Sequence, residues 1–467
     1  MSDVTETAAI KPGSWRDLLG RERIRTATLL AGGVGLYATN EFLTISLLPS
    51  TVADIGGQRF YAWVIAVYLV GSVVAAAAVN PLLIRFGPRA SYLLTLAIFG
   101  VGTLGCALAP TMELLLVART VQGAAGGMLA GLGYAVINSA LPNWLWTRAS
   151  ALVSAMWGVS VIIGPAMGGI FAQFGIWRWA FGSLVILTAA MAVLVPGALP
   201  ARQPSDRAPS IPRIPVWSLL MLGAAALAIS VAGVQRAAVA TFGLLAAGAG
   251  LVVLFLVVDR RAKATVLPRA AFGPGPLKWM YVTIGLLMAA TMVDMYVPLF
   301  AQHLAGMVPA AAGFFGAVLA VGWTFSEIAS ASASRTSTVV RLVALAPAVM
   351  ALGLALGALV LGSHLTWPLV VAWAAGLFIA GIGVGIAWPH LSAWIMGAVE
   401  DPVEAGTAAA AINTVQLISG AFGAGLAGVV VNMTHGGDAV SARWLFAVFA
   451  VLAAGGLAAS YRASRGR

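Results

Sequence analysis

Charged side chains are scarce in this sequence. They make up 9% of its 467 residues, whereas hydrophobic residues make up 61% and the mean hydropathy is +0.97. A soluble globular domain carries about 25% charged and about 45–50% apolar residues. The composition therefore excludes an ordinary soluble domain and indicates a polytopic membrane protein in contact with the lipid bilayer.

Cysteine and nucleotide-binding motifs are also nearly absent. Cys106 is the single cysteine, which excludes an intramolecular disulfide and a thiolate metal site. No G-x-x-x-x-G-K-[S/T] sequence occurs, so nothing suggests ATP hydrolysis. We therefore expect no cofactor, no metal and no enzymatic activity. The net charge of +11 could indicate nucleic-acid binding, but the basic residues cluster in short loops, as the topology of membrane proteins requires, so no nucleic-acid partner is expected.

Long apolar runs predict the membrane spans. A helix needs about 20 apolar residues to cross a bilayer, and this length predicts about fourteen spans. An even number puts both termini on one side, and most of the 26 basic residues lie on that side, so both termini are expected in the cytoplasm of a cell whose inner (plasma) membrane holds the protein. The predicted spans are residues 26–48, 60–84, 89–109, 112–140, 147–173, 177–199, 215–235, 238–258, 279–303, 309–332, 338–363, 367–396, 405–433 and 441–461.

Two polar stretches and a weak internal repeat predict the domain organisation. Tyr68-Leu-Val-Gly71 in span two corresponds to Leu319-Ala-Val-Gly322 in span ten, and each follows a span with an acidic residue and a proline. This arrangement fits two six-helix bundles around a midplane site. The predicted segments are an N-terminal tail (1–25), the first bundle (26–200), a linker (201–214), two additional helices (215–259), a cytoplasmic loop (260–278), the second bundle (279–461) and a C-terminal tail (462–467).

Four charged residues interrupt predicted spans: Glu41, Arg119, Asp294 and Glu327. A charge at the bilayer centre costs at least about 2.5–3.5 kcal/mol, so such residues usually face a water-filled cavity, pair with each other or carry protons. Glu41 and Asp294 are the leading candidates for proton or substrate binding. Two alternatives stay open: Glu327 could be solvated near the cytoplasmic end, and Arg119 could be a structural residue that binds backbone carbonyls.

Two sequence motifs resemble those of the major facilitator superfamily. Span five contains GVSVIIGPAMGG, in which Gly158, Gly164, Gly168 and Gly169 permit close helix packing and Pro165 is expected to kink the helix. It resembles the antiporter motif of that family. Span four contains Arg119-Thr-Val-Gln122-Gly123, which resembles a family motif whose arginine is thought to help proton transfer.

Other segments extend this resemblance over nearly the whole chain. Asn80 to Arg89 is similar to the family's gating loop: Arg85, Gly87 and Arg89 match, but Ile84 replaces the acid of the loop's charge relay, so gating is expected to rest on other contacts. Span one resembles drug exporters, with Asn40 where fourteen-helix members usually have an aspartate. The segments 262–272 and 406–428, the latter with Asn413 and Gln416, resemble parts of fourteen-helix exporters.

The resemblance implies an all-α major facilitator fold of two six-helix bundles plus a two-helix insertion, and a monomeric drug:proton antiporter that exports hydrophobic or amphipathic small molecules by alternating access. Arg119 would tune one of the acids. An uncoupled facilitator or lipid carrier, and a membrane scaffold or enzyme, are the alternatives. Most aromatic residues of a membrane chain face lipid or a neighbouring helix, but some could line a substrate cavity. The candidates are Tyr37, Asn40, Gln122, Tyr134, Trp157, Met292, Tyr296, Trp323, Trp388, His390, Asn413 and Gln416.

Overall fold

The computed structural model describes residues 14–57, 60–76, 78–201, 215–232 and 237–465, and this part of the chain is helical without a β-strand. Three 3-10 helices cover Asn143–Leu145, Arg269–Phe272 and Met292–Tyr296. Most of the predicted linker and of the N-terminal tail lies outside the described residues. The α-helices are α1 (Trp15–Leu18), α2 (Ile24–Ile55), α3 (Tyr61–Ala76), α4 (Val79–Leu108), α5 (Met112–Ala135), α6 (Ile137–Ala140), α7 (Trp146–Gln173), α8 (Trp177–Ala198), α9 (Val216–Ala232), α10 (Ala238–Arg261), α11 (Leu277–Thr291), α12 (Val297–Ala305), α13 (Pro309–Gly316), α14 (Val318–Ser330), α15 (Thr336–Val360), α16 (Trp367–Gly385), α17 (Trp388–Met396), α18 (Pro402–Met433) and α19 (Asp438–Ser464).

The chain is a multi-pass membrane protein. Ten helical stretches of the described residues are long and apolar enough to cross a bilayer, and three shorter apolar helices accompany them. Helix α2 has 32 residues but also contains Glu41. Each predicted span overlaps a helix or a broken pair of helices. Because only ten stretches meet the length and hydropathy requirement, the number of fourteen crossings stays a prediction.

The segment between the second and third predicted spans differs from the expected loop. Helix α3 ends at Ala76, eight residues before the predicted end of span two, and α4 already begins at Val79. The chain bends inside α4 at Gly87, whose φ of 76° is favourable only without a Cβ, and Pro88 follows it. The expected loop is therefore helical up to this bend.

The helices form two packing groups. In the first helix group, α2 packs on α7, α3 packs on α5, and α4 packs on α5 and α8. In the second helix group, α15 packs on α16 and α19, α14 packs on α16, and α11 packs on α18 and α19. The two groups meet where α7 contacts α14 and α17, and where α18 contacts α3, α4 and α5. Helices α9 and α10 pack on each other, and α9 also contacts α3 and α18.

The weak sequence repeat corresponds to equivalent helix contacts in the two groups. A Cβ at Gly71 of α3 would collide with the carbonyl oxygen of Thr120 in α5, and a Cβ at Gly322 of α14 would collide with that of Phe378 in α16. Small residues allow this close backbone approach between membrane helices. Each glycine thus allows the second span of its group to pack closely against the fourth span.

Several spans of the second helix group are broken, and the breaks place polar residues. The 3-10 turn Met292–Tyr296 separates α11 from α12 and contains Asp294. Pro298 and Pro389 lie in the first turns of α12 and α17, where the missing N–H has no intrahelical partner in any case. Breaks of this kind inside membrane spans are tolerated where they line a cavity or are buried in protein.

Asp259 fixes the loop that connects α10 to the second helix group. Its carboxylate is fully buried and accepts hydrogen bonds from the Ser218 hydroxyl and from the backbone N–H groups of Val266 and Leu267, each at 2.9 Å. Three donors from α9 and from the loop therefore converge on one acid at the end of α10. Bonds to an ionised acceptor are about twice as strong as bonds between neutral groups.

We expect Asp259→Ala to loosen this loop. The substitution leaves two buried backbone donors unsatisfied, at about 1–3 kcal/mol each, so the protein should unfold several degrees earlier in a thermal scan in detergent. Glu400→Gln, at an exposed acid, is the matched control and should leave the unfolding temperature unchanged. Equal unfolding temperatures for both variants would show that the Asp259 contacts add no stability.

Candidate functional site

A single arginine connects the helices of the first group. Arg119 of α5 is fully buried. Its Nη1 donates to Asn40 Oδ1 of α2 and, at 2.7 Å, to Gln122 Oε1, and its Nε donates to the Val64 carbonyl of α3 at 3.2 Å. Gln122 in turn donates to Thr103 Oγ1 of α4 at 2.9 Å. The Arg119 network therefore contains polar groups from four helices, α2, α3, α4 and α5.

Aromatic rings enclose the Arg119 network on one side. The guanidinium lies 4.0 Å from the centroid of the Tyr68 ring, a cation–π distance. Tyr68 stacks on Tyr37 at 5.4 Å between centroids and donates its hydroxyl proton to the Tyr37 carbonyl at 2.9 Å. Trp157 of α7 contacts the Tyr37 ring edge-on at 5.5 Å. Tyr37 thus stacks on the ring that contacts the embedded charge, and Trp157 contacts Tyr37. Their place in a substrate cavity stays a prediction.

Asn40, rather than Glu41, is the α2 residue that binds Arg119. No ion pair within 4.0 Å involves Arg119 among the described residues. Its side-chain partners are amides, so the hydrogen bonds expected with an acid are made with neutral groups. Glu41 is half-buried, and its Oε2 atom is buried without a hydrogen-bond partner.

A second polar cluster lies where the two helix groups meet. Glu327 of α14 is fully buried, and neither carboxylate oxygen has a hydrogen-bond partner. Ser154 of α7 and the Trp323 indole face it without reaching hydrogen-bonding geometry. The alternative of a solvated Glu327 near the cytoplasmic end is therefore wrong: the packing of α7 on α14 removes the acid from solvent.

Aromatic residues join the two helix groups beside Glu327. The Trp388 indole donates to the Tyr134 hydroxyl at 3.1 Å, and the Trp388 ring lies 5.3 Å from that of Trp323. His390, one turn into α17, lies with Nε2 3.0 Å from the Ser330 carbonyl, an acceptor for a ring N–H. Tyr134, Trp323 and Trp388 thus lie beside the acid, whereas His390 contacts α14 about one turn further along, at Ser330.

Asp294 belongs to neither cluster. It lies half-buried in the 3-10 turn between α11 and α12, and no hydrogen bond or ion pair between described side chains joins it to Arg119, Glu41 or Glu327. Met292 packs against Gly423 of α18, and Tyr296 stacks on Phe300 at 6.2 Å. The candidate acids therefore occupy three separate places.

Helix α18 adds polar groups between the clusters. Asn413 Nδ2 donates to the Gly127 carbonyl of α5 at 3.5 Å, which connects the two helix groups. The Gln416 side chain is buried, and neither of its amide atoms has a hydrogen-bond partner. Asn413 thus faces the interface with α5, and the role of both residues in a substrate cavity stays a prediction.

The glycine motif of α7 divides between two interfaces. Gly164 and Gly168 face α2, next to Phe42, Leu43 and Ser46, whereas Gly158 faces Thr324 of α14 across the boundary between the helix groups. Gly169 has no heavy atom within 4 Å of the position a Cβ would take, so it contributes no close packing. Helix α7 runs through Pro165 as one continuous helix.

The gating-loop residues flank the bend in α4. Gly87 makes the bend, and Arg85 and Arg89 lie on either side of it, with the Arg85 guanidinium 5.3 Å from the Phe86 ring centroid. Asn80, which replaces the leading glycine, donates through Nδ2 to Thr407 Oγ1 of α18 at 2.6 Å. This contact between the helix groups was not predicted.

Sequence reasoning also missed Ser154, although one signal was available. Ser154 lies four residues before Gly158, on the same face of α7, so the glycine that packs on α14 predicts its direction. Thr407 carries no comparable signal, because its partner Asn80 is 327 positions away. Among the described residues no group of three or more histidine, cysteine, aspartate or glutamate side chains could hold a metal ion.

The comparisons with known proteins agree on one family. The profile of the Major Facilitator Superfamily matches residues 30–424. A probable multidrug-efflux transporter of Mycobacterium tuberculosis is 60% identical over 465 residues, 99% of this chain and 98% of that protein. The human organic anion transporter MFSD10 (TETRAN) has a similar structure, with a TM-score of 0.68 at 16% identity over 94% of this chain and 99% of that chain.

A second solved structure extends the likeness in fold. The proton:xylose symporter XylE matches with a TM-score of 0.61 at 15% identity, over 92% of this chain and 94% of that chain. At such low identities the two structures establish the architecture, and the family profile and the 60% identical relative establish the kinship. The chain belongs to the major facilitator superfamily of secondary transporters.

Proposed function

We propose that this protein exports hydrophobic or amphipathic small molecules across the inner (plasma) membrane in exchange for protons. The name of the 60% identical relative, a probable multidrug-efflux transporter, supports the direction and the substrate class. The protein acts as a monomer with both termini in the cytoplasm. Embedded acids favour cationic or neutral substrates over anionic ones.

The observation that carries the proton coupling is the isolation of Glu327. An ionised carboxylate buried without a partner costs several kcal/mol, so the closed interface between α7 and α14 accommodates the neutral acid. When the two helix groups separate, water reaches the same carboxyl and stabilises its ionised form. Proton release is thereby tied to the conformational change, which is what antiport requires.

The transport cycle follows from the arrangement of the two helix groups. We propose that residues 26–200 and 279–461 act as two bundles that rock about the interface between them, with residues 215–259 as an additional hairpin. Two contacts to the second bundle lie at the proposed cytoplasmic end: Asn80 of the first bundle donates to Thr407 at 2.6 Å, and the Trp15 indole of the N-terminal tail donates to the Ser332 hydroxyl at 3.3 Å. These contacts support a state that is closed towards the cytoplasm.

The opposite end of the molecule supports the same state. There the Asp54–Arg178 ion pair, at 2.5 Å, and the contact between His303 Nδ1 and the Asp438 carboxylate, at 2.7 Å, each stay within one helix group. In this closed state the Asn80–Thr407 hydrogen bond takes over the gating role for which the family's loop uses an acid. Glu41 and Asp294, both half-buried, then line the path that is open to the outside.

An uncoupled facilitator is the second candidate function, and Asn40 favours it. An amide on Arg119 cannot exchange a proton in the physiological range, so the first helix group lacks a titratable partner for its arginine. In this candidate, Glu327 and Glu41 bind substrate but do not couple its movement to protons. Purified transporter in liposomes with an imposed pH gradient distinguishes the two candidates.

We expect substrate-dependent proton flux in such proteoliposomes, tested with a panel of lipophilic cations, neutral drugs and lipids. Glu327→Gln keeps the shape and removes the ionisable group, so proton flux should fall to the level of empty liposomes. Glu41→Gln and Asp294→Asn complete the series, and Glu400→Gln is the exposed control. Transport that proceeds without a pH gradient, and at the same rate in all variants, would contradict antiport and would identify the protein as an uncoupled facilitator.

Asn40→Ala should disrupt the Arg119 network. The substitution removes an acceptor from a fully buried guanidinium, and an unsatisfied charged donor costs more than about 1–3 kcal/mol. We therefore expect a lower unfolding temperature and loss of transport, whereas Asn40→Asp restores an acceptor and should retain the fold. Thr44→Val is the control, because Thr44 bonds only the Asn40 carbonyl of its own helix. Unchanged stability in Asn40→Ala would contradict a structural role of the network.

The proposed topology is testable because Cys106 is the single, buried cysteine. In a Cys106→Ala background, new cysteines in place of His364 and His435 should react with a membrane-impermeant maleimide on intact cells. Cysteines in place of Lys263 and Arg335 should react only after the cells are opened. Labelling of all four positions from outside would refute the orientation and the number of crossings.

A further inference from the structure

A large apolar groove lies outside the two polar clusters. Its volume is about 1040 Å³, and it is lined by residues of α10, α11 and α18. Its lining is almost entirely apolar, with Phe242, Phe255, Ile418 and Phe422 among its side chains. The volume is at the upper end of the range of ligand pockets, about 300–1,000 Å³. The groove is therefore large enough for an amphiphile and has no contact with the embedded acids.

The groove has one charged end. Arg260, in the last turn of α10, and Lys278, in the first turn of α11, both line it. Arg260 is exposed, and Lys278 donates one of its three N–H groups to the Gly273 carbonyl at 3.2 Å, so two remain for another acceptor. No acidic residue is among the lining side chains. A ligand with an anionic head and an apolar body matches this distribution of charge.

The length of the groove fits the bilayer. Along α10 the lining runs from Phe242 to Arg260, eighteen residues or about 27 Å at 1.5 Å per residue, against about 30 Å for the hydrocarbon core. Most of α10 faces away from the protein, since only 17% of its most apolar window is buried. Acyl chains that extend from the charged end reach the apolar lining directly from the surrounding bilayer.

We propose that this groove binds an anionic phospholipid of the cytoplasmic leaflet, with its phosphate between Arg260 and Lys278 and its acyl chains between α10 and α11. The leaflet follows from the proposed orientation of the chain, in which the basic loop 260–278 is cytoplasmic. The cytoplasmic leaflet is enriched in anionic lipids, and basic residues next to a membrane helix attract these lipids. A cationic or neutral transport substrate does not match the two basic residues.

The test is native mass spectrometry of the full-length protein in detergent, titrated with phosphatidylglycerol or with zwitterionic phosphatidylcholine. We expect tighter binding of phosphatidylglycerol, and Arg260→Gln with Lys278→Gln should weaken it about 25-fold, since each basic residue contributes about fivefold. The matched control is Arg261→Gln with Lys263→Gln, which removes equal charge from the same loop outside the groove. This control should bind the lipid like the wild-type protein.

Two further arms separate the lipid from other occupants. Ala249→Trp fills the groove and leaves both basic residues in place, so it should also abolish lipid binding, whereas sn-glycerol 1-phosphate, a headgroup without acyl chains, should not compete. Equal affinity for both lipids, equal loss in both charge-pair variants, or competition by the free headgroup would overturn the proposal. Displacement of bound lipid by transported drugs would assign the groove to substrate instead. None of these outcomes depends on proton coupling.

Discussion

The first helix group is organised around one constraint: a guanidinium cannot be buried at the centre of a membrane protein without polar partners. Arg119 meets this constraint with Asn40 of α2, the Val64 carbonyl of α3 and Gln122 of its own helix, and Gln122 recruits Thr103 of α4. Each partner must hold its place for the charge to stay satisfied. The network therefore fixes the relative positions of four helices, and the glycine contacts between α3 and α5 allow the helices to approach closely enough to form it.

The embedded acid of the second helix group, unlike Arg119, lacks hydrogen-bond partners. Glu327 has no hydrogen-bond partner, and the residues around it come from both groups: Ser154 and Tyr134 from the first, Trp323 and Trp388 from the second. Arg119 makes three hydrogen bonds, although its Nη2 atom is buried without a partner, and these bonds resist a change of environment. An acid without any partner at the interface between the two helix groups gains from such a change. In the proposed transport cycle, this asymmetry gives Arg119 a structural role and makes Glu327 the acid that responds when α7 separates from α14.

The sequence predicts the helices well and the facing of their side chains poorly. Hydropathy and length locate the spans because lipid imposes both directly, and proline marks the breaks before α12 and α17. Asn40 and Glu41 are neighbours about 100° apart on one helix, so only the position of α5 decides which of them binds Arg119. The burial of Glu327 depends on α7, more than 150 positions away, and no local pattern encodes such a contact. The bend at Gly87 was also missed, because a loop and a bent helix share the same residues.

The additional hairpin of α9 and α10 leaves an open apolar groove between α10 and the second helix group. Helix α9 packs on α3 and α18, and Asp259 fixes its end of the hairpin, yet α10 stands away from α11 along most of the bilayer. In water such an apolar gap would collapse or attract a partner, but in a membrane the lipid tails are as apolar as the side chains, and nothing drives the helices together. The gap is stable because the bilayer can fill it. If the two bundles rock as proposed, movement of α18 against α9 changes the volume left for acyl chains, and the hairpin then couples the bundles to the lipid around them.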